Sequence, residues 1–153
     1  VGSAPANDRL SGFADVLDGS EFKVIKSQSG DFTRSKGKEV MEAFLKAEGK
    51  NIDVLYAHND DMAIGAIQAI EEYGLEPGKD IIIVSVDAVR GAFEAMIEGK
   101  LNVSVECSPL LGPQFFDAVE DLMAGRSIPR RIVTKEGVFP AETAAQMLPT
   151  RKY

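Results

Sequence analysis

The chain has 153 residues, a formal net charge of −7 and a sequence pI near 4.8. An acidic chain without a basic patch argues against nucleic acid as a partner. The sequence contains no apolar run of about 18 residues, so we predict no membrane-spanning helix. One cysteine and one histidine exclude an intrachain disulfide and make a structural zinc site improbable. We therefore expect neither a metal nor a cofactor.

Apolar periodicity and turn residues predict the elements in chain order. Helices are predicted over 5–17, 33–48, 61–73, 88–98, 112–123 and 143–148, and strands over 22–27, 52–57, 81–86, 101–106 and 132–138. Helices and strands alternate with short linkers, which predicts an α/β fold built on a doubly wound parallel sheet. Right-handed crossovers would bring the strand-to-helix junctions to one edge of that sheet. No strand precedes the first helix, so the predicted sheet contains a gap.

The junction after the strand 52–57 is the most informative one. The apolar strand ends in His58, Asn59, Asp60 and Asp61, and an apolar-periodic helix follows at once. Such junctions place polar side chains at the carboxyl end of a strand, where open α/β sheets bind ligands. Asn and Asp are also preferred helix N-caps. We expect Asn59 to contact a ligand, and Asp60 or Asp61 to cap the helix.

The junctions together predict a polar rim. They carry carboxylates, an amide, two arginines and one aromatic ring, which suit a neutral ligand rich in hydroxyls. Simpler roles stay open: Arg9 as an ion-pair partner or part of a solvated helix face, and Phe32 as a hydrophobic staple. His58 is more typical of a hydrogen-bonded junction residue than of a catalyst, and Cys107 of a small buried hydrophobe than of a nucleophile. The chain shows no GxSxG, Walker or GxGxxG motif, so we do not expect an enzyme.

Five segments resemble, in order and spacing, the type I periplasmic sugar-binding proteins of ABC importers. They are GSAPANDRLSGF, SQSGDFTRSKGKEVMEAFL, AHNDDMAIGAIQAI, GKDIIIVSVDAV and EGKLNVSVECSP. AxNDxMAxGA followed by VxxD is specific in combination, and the segments around Phe32 and Asn59 are most similar to the galactofuranose-binding subgroup. The resemblance covers essentially the whole chain, but only the second half of a usual family member.

The resemblance implies a Rossmann-like lobe of a protein in which two lobes enclose a sugar. It makes 1–108 the carboxy-terminal lobe without its first strand, 109–130 a crossover helix that normally packs on the amino-terminal lobe, and 131–153 the return strand and tail. Because the chain lacks an initiator Met and a secretion signal, we expect a processed or truncated piece. The implied partners are a monosaccharide, an ABC permease and the missing amino-terminal lobe, and we expect self-association through the exposed cleft face. The implied location is the periplasm, or a lipid-anchored extracytoplasmic position in a Gram-positive cell.

The implied function is to bind a monosaccharide, galactofuranose or a related aldose, and to deliver it to the permease. The ligand-contact residues that the resemblance implies are Arg9, Asp31, Phe32, Arg34, Asn59, Asp87, Glu106 and Cys107. Phe32 would pack on the sugar ring, and the Glu106 side chain could point away from the sugar. Cys107 stands where ribose binders have a glutamine, which argues against ribose. Two alternatives remain: the effector core of a LacI-type repressor, which shares the fold, and a hydrolase or kinase on the same sheet.

Overall fold

A computed structural model describes residues 2–153; the first residue of the predicted 1–108 unit lies outside this range. The elements in chain order are α1 (Ala4–Leu17), α2 (Arg34–Glu48), β1 (Val54–Tyr56), α3 (Asp60–Tyr73), β2 (Ile82–Asp87), α4 (Arg90–Ile97), β3 (Val103–Glu106), α5 (Gly112–Met123), β4 (Val138–Pro140) and α6 (Ala141–Met147). Short 3₁₀ turns occur at Gly49–Asn51 and Leu148–Thr150. The α/β class is confirmed, with helix and strand boundaries that shift by a few residues.

The four strands form one sheet in the order β1-β2-β3-β4. The pairs β1–β2 and β2–β3 are parallel, with Leu55 opposite Ile83 and Ser85 opposite Ser104. Helix α3 connects β1 to β2, and α4 connects β2 to β3. The carboxyl ends of these three strands therefore lie at one edge of the sheet, which we call the carboxyl edge.

The main core covers one face of this sheet. Its largest fully buried apolar side chains lie in α2, α3 and α4 and in or just before β2 and β3; they are Phe93, Met41, Leu45, Ile70, Ile81, Ile83 and Leu101. Helices α2 and α3 approach closely where two glycines face a neighbouring backbone. A Cβ on Gly37 would lie 2.4 Å from the Met62 carbonyl oxygen, and one on Gly65 would lie 2.0 Å from that of Arg34. Only hydrogen fits at these two positions.

The opposite face of the sheet is thinly covered. Side chains alternate along a strand, so Val54, Tyr56 and Ile82 point away from the core. Val54 and Ile82 are exposed, whereas the Tyr56 ring stacks on Phe13 of α1 with centroids 4.4 Å apart. Helices α1 and α5 each bury no residue completely.

Two of the predicted strands are wrong. Residues 22–27 form no strand and expose Phe22, Val24 and Ile25, because an extended segment becomes a strand only when a neighbouring backbone pairs with it. The last strand is not 132–138 but Val138–Pro140, and it pairs antiparallel with β3. The apolar residues of 132–137 therefore predicted strand where the structure has none.

The amphipathic α5 carries its large apolar side chains in solvent. Phe115 and Phe116 are more than half exposed, and Met123 is 85% exposed. The division of the chain into 1–108, 109–130 and 131–153 stays a prediction, and this exposure is what a helix meant to pack on another lobe would show.

The contact between α2 and α3 predicts a strong effect of Gly65→Ala. The added methyl would collide with the Arg34 carbonyl, so we expect a loss of about 2 kcal/mol or more in the free energy of unfolding, despite the better helix propensity of alanine. The matched control is Gly12→Ala in α1, where a Cβ meets nothing within 4 Å. We expect that control to lose no stability. Urea unfolding followed by circular dichroism measures both, and equal effects would contradict the packing argument.

Candidate functional site

An ion pair between α1 and the end of β2 lies at the carboxyl edge. Arg9 Nη2 is 3.0 Å from Asp87 Oδ1, and the two side chains are only 16% and 27% exposed. Arg9 Nη1 also donates to the carbonyl of His58, directly after β1. Burial and the Arg9 charge lower the pKa of the His58 imidazole. The structure thus brings together residues from three of the predicted junctions. Arg9 forms an ion pair, which is one of the simpler roles that the sequence left open for it.

Asn59 caps α3 and joins it to the preceding loop. Its Oδ1 accepts a hydrogen bond from the Met62 amide at 3.0 Å, and its Nδ2 donates to the Phe32 carbonyl at 3.2 Å. The expectation that Asp60 or Asp61 is the cap is therefore wrong. The helix begins at Asp60, so Asn59, with extended backbone, is the residue whose side chain reaches the free amides of the first turn.

Asp60 is a fully buried carboxylate. Its Oδ1 accepts hydrogen bonds from the hydroxyls of Ser85 and of Ser104, the latter at 2.8 Å, and its Oδ2 accepts one from the Val89 amide at 2.8 Å. Burial raises the pKa of the Asp60 carboxyl, and these three hydrogen bonds offset part of the rise. Sequence reasoning missed both serines. Their signal was a single hydroxyl between two valines in each of β2 and β3.

The backbone at Asp87 and Ala88 is strained. Their φ angles are 119° and 60°, values that residues other than glycine rarely adopt. Each such residue costs roughly 1–3 kcal/mol and persists only where its surroundings hold it. Burial raises the pKa of the Asp87 carboxyl, and the Arg9 guanidinium offsets part of that rise. The strained turn therefore fixes where a half-buried, Arg-paired carboxylate points.

The loop before α2 reaches the same edge through its backbone. Asp31 and Phe32 also have positive φ angles, 50° and 57°. Asp31 is exposed and accepts a hydrogen bond from the Ser29 hydroxyl at 3.0 Å, whereas Phe32 is half-buried. Arg34 pairs with Asp61 at 2.6 Å on the surface. Asn59 ties this loop to the edge by its bond to the Phe32 carbonyl.

Glu106 ends β3 opposite Asp87, and Cys107 follows it. The Glu106 carboxylate accepts hydrogen bonds from Arg151 at 2.7 Å, Tyr153 at 3.0 Å and the Gly137 amide at 3.1 Å. Burial alone would raise the pKa of Glu106, but these donors outweigh it and the pKa is lowered. The Glu106 side chain is thus engaged with the carboxy-terminal segment, and its predicted ligand contact stays a prediction.

Cys107 is exposed at this edge, so its simpler role as a buried hydrophobe is wrong. Its amide lies 3.3 Å from the Asp87 carbonyl, which places it next to the ion pair. In the part of the chain that the structure describes, no group of three or more His, Cys, Asp or Glu side chains could hold a metal ion. Within residues 2–153, every helix is too short or too polar to cross a membrane.

Known proteins are similar to this chain in both sequence and fold. The galactofuranose-binding protein of Escherichia coli K12 is 50% identical over 99% of the chain, which covers 49% of that protein. The crystal structure of a galactofuranose binding protein is 50% identical, with a TM-score of 0.94 over 99% of this chain and 53% of that one. The periplasmic binding component of the arabinose ABC transporter from Shewanella sp. ANA-3, bound to α- and β-L-arabinofuranose, is 48% identical, with a TM-score of 0.92 over 99% of this chain and 51% of that one.

These comparisons confirm the family predicted from the sequence motifs. The chain spans about half the length of the relatives that it matches. The sequence profile described as periplasmic binding protein domain matches residues 1–127. The chain therefore belongs to the periplasmic binding protein domain family.

Proposed function

We propose that this chain forms one wall of a sugar-binding cleft in an extracytoplasmic solute-binding protein. The ligand is a monosaccharide in its furanose form, galactofuranose or a related aldose, and an ABC permease receives it. The observation that carries the proposal is the Arg9–Asp87 pair beside the Asn59 amide at the carboxyl edge. The similar proteins add support, because their names and bound ligands include galactofuranose and arabinofuranose.

The paired side chains match the hydroxyls of a sugar. A carboxylate accepts from one or two hydroxyls while a guanidinium donates several hydrogen bonds in a fixed plane. Asp87 and Arg9 are already partly removed from water, so a sugar that contacts them adds hydrogen bonds without the full cost of desolvating two charges. Asn59 adds an amide, and the Phe32 ring covers the apolar face of the sugar.

The second wall belongs to an amino-terminal lobe. Sugar binds better to the closed form of two lobes joined by a hinge, and the permease recognises that closed form. The exposed apolar face of α5 suits a helix that packs on this lobe. A transport role is favoured over the repressor core, because two similar proteins are named as a ribose import binding protein and as the binding component of an arabinose ABC transporter.

The chain alone should bind sugar very weakly. One wall leaves half of the sugar hydroxyls in water and cannot exclude solvent from the ligand. Calorimetry with galactofuranose is expected to show no micromolar binding by the chain, in contrast to the same chain joined to an amino-terminal lobe. Micromolar or tighter binding by the chain alone would contradict the two-walled site.

In the two-lobed protein, Asp87→Asn should weaken sugar binding about tenfold or more, because a charge-assisted hydrogen bond is lost. The matched control is Asp15→Asn, which removes an exposed carboxylate from α1, the helix that carries Arg9. We expect this control to leave the Kd unchanged within about twofold. Isothermal titration calorimetry measures both, and equal Kd values for the two variants would refute a role for Asp87.

Sugar affinity should fall in acid as Asp87 takes up a proton. The pKa of Asp87 is raised above 3.8 by burial, so its charge is lost at a higher pH than for an ordinary aspartate. Arg9 opposes this shift, and the charge of Asp61 favours it. Asp60 has a raised pKa too, so Asp87→Asn separates the two contributions. The Asp87→Asn variant should lose most of the pH dependence of the sugar Kd. An unchanged pH profile in this variant would mean that another group causes the pH dependence.

A further inference from the structure

The buried Asp60 carboxylate has no role in the proposed contacts with sugar. It is fully buried, and its three hydrogen-bond donors are neutral groups. A carboxylate that is removed from water without a cation is costly to keep. Capping of α3 does not require it, because Asn59 already supplies the cap. Its partners show what it holds instead.

Asp60 and Ser104 together hold the two amides that follow Asp87. Asp60 Oδ2 accepts from the Val89 amide at 2.8 Å, and Ser104 Oγ accepts from the Ala88 amide at 3.1 Å while donating to Asp60 Oδ1 at 2.8 Å. Ser85, which lies in β2 itself, also donates to Asp60 Oδ1, but the acceptors of these two amides are Ser104 and Asp60. The amides belong to the turn in which Asp87 and Ala88 have positive φ angles.

A strained turn keeps its conformation only where the surroundings determine it. Ala88 is completely buried, so its amide has no access to water and depends on Ser104. If the two bonds to the turn were released, the backbone could relax and the Asp87 carboxylate would leave its position 3.0 Å from Arg9.

We propose that Asp60, acting with Ser104, is a positioning residue that sets the direction of the Asp87 carboxylate and thereby the affinity for sugar. This inference rests on the proposed function for its effect on affinity. Its effect on the turn does not depend on any ligand. Asp60 touches no sugar in this arrangement, since its side chain is enclosed by β2, β3 and the start of α4.

Ser104→Ala and Ser85→Ala form a matched pair that tests the proposal. Each variant removes one hydroxyl from Asp60, but only Ser104→Ala also leaves the Ala88 amide without an acceptor. Ser104→Thr keeps the hydroxyl and should restore what Ser104→Ala loses. Asp60→Asn is the direct variant; where it fails to fold, the serine pair still decides the question.

The first measurement uses this chain without ligand. Amide hydrogen exchange by NMR should speed up at Ala88 and Val89 in Ser104→Ala by about tenfold more than in Ser85→Ala, after correction for global stability. The Arg9 guanidinium resonance should shift in Ser104→Ala alone. Equal exchange in the two serine variants would overturn the proposal.

The second measurement is the sugar Kd in the two-lobed protein. Ser104→Ala should weaken binding roughly tenfold and Ser85→Ala by less than about threefold, with Ser104→Thr close to the unmodified protein. Equal weakening by the two alanine variants would leave Asp60 a purely structural residue and refute positioning. If the unmodified two-lobed protein binds no furanose, the proposed function fails. The hydrogen-exchange data still test whether Asp60 and Ser104 hold the turn that follows Asp87.

Discussion

The fold must supply hydrogen-bond donors to one buried carboxylate, that of Asp60. Asp60 starts α3, and its donors lie in β2, in β3 and at the start of α4. Ser85 stands opposite Ser104 in the parallel register, and each serine is flanked by valines in its own strand. A slip by one residue would place valine against the carboxylate and leave it without a donor. Asp60 therefore selects the strand register as well as the start of α4.

The two faces of the sheet differ in how well they are covered. The core face packs α2, α3 and α4 so closely that Gly37 and Gly65 admit no side chain. On the other face, α1 makes one aromatic stack, Phe13 on Tyr56, and buries no residue completely. The fold thus gains its stability from one face. The other face, together with the apolar side chains of α5, keeps surface that a second body can cover.

Most of the fold could be predicted because local periodicity and packing agree in 33–106. The failures occur where structure depends on a neighbour that periodicity does not reveal. Residues 22–27 have strand-like composition but no paired backbone, and 132–137 lie beside a strand that begins only at Val138. At the site, the handedness of the crossovers predicted that the junctions meet at one edge, and the residue types of the junctions predicted a polar rim there. The sequence could not show that Asn59, rather than Asp60 or Asp61, caps α3, or that Glu106 is engaged by Arg151 and Tyr153. Cap geometry and side-chain direction are set by three-dimensional contacts.

In the proposed site, the Arg9–Asp87 pair would link ligand recognition to the placement of α1. Because α1 buries no residue completely, its position depends on the Phe13 stack and on the two bonds of Arg9, one to Asp87 and one to the His58 carbonyl. A sugar that engages Arg9 and Asp87 together binds only when α1 is in place, so by mass action it stabilises that placement. Asp60 and Ser104 accept hydrogen bonds from the two amides that follow Asp87. In the proposed site, recognition would therefore combine a firmly held carboxylate on the core side with a lightly held arginine on the open side, where the proposed second lobe would contribute most.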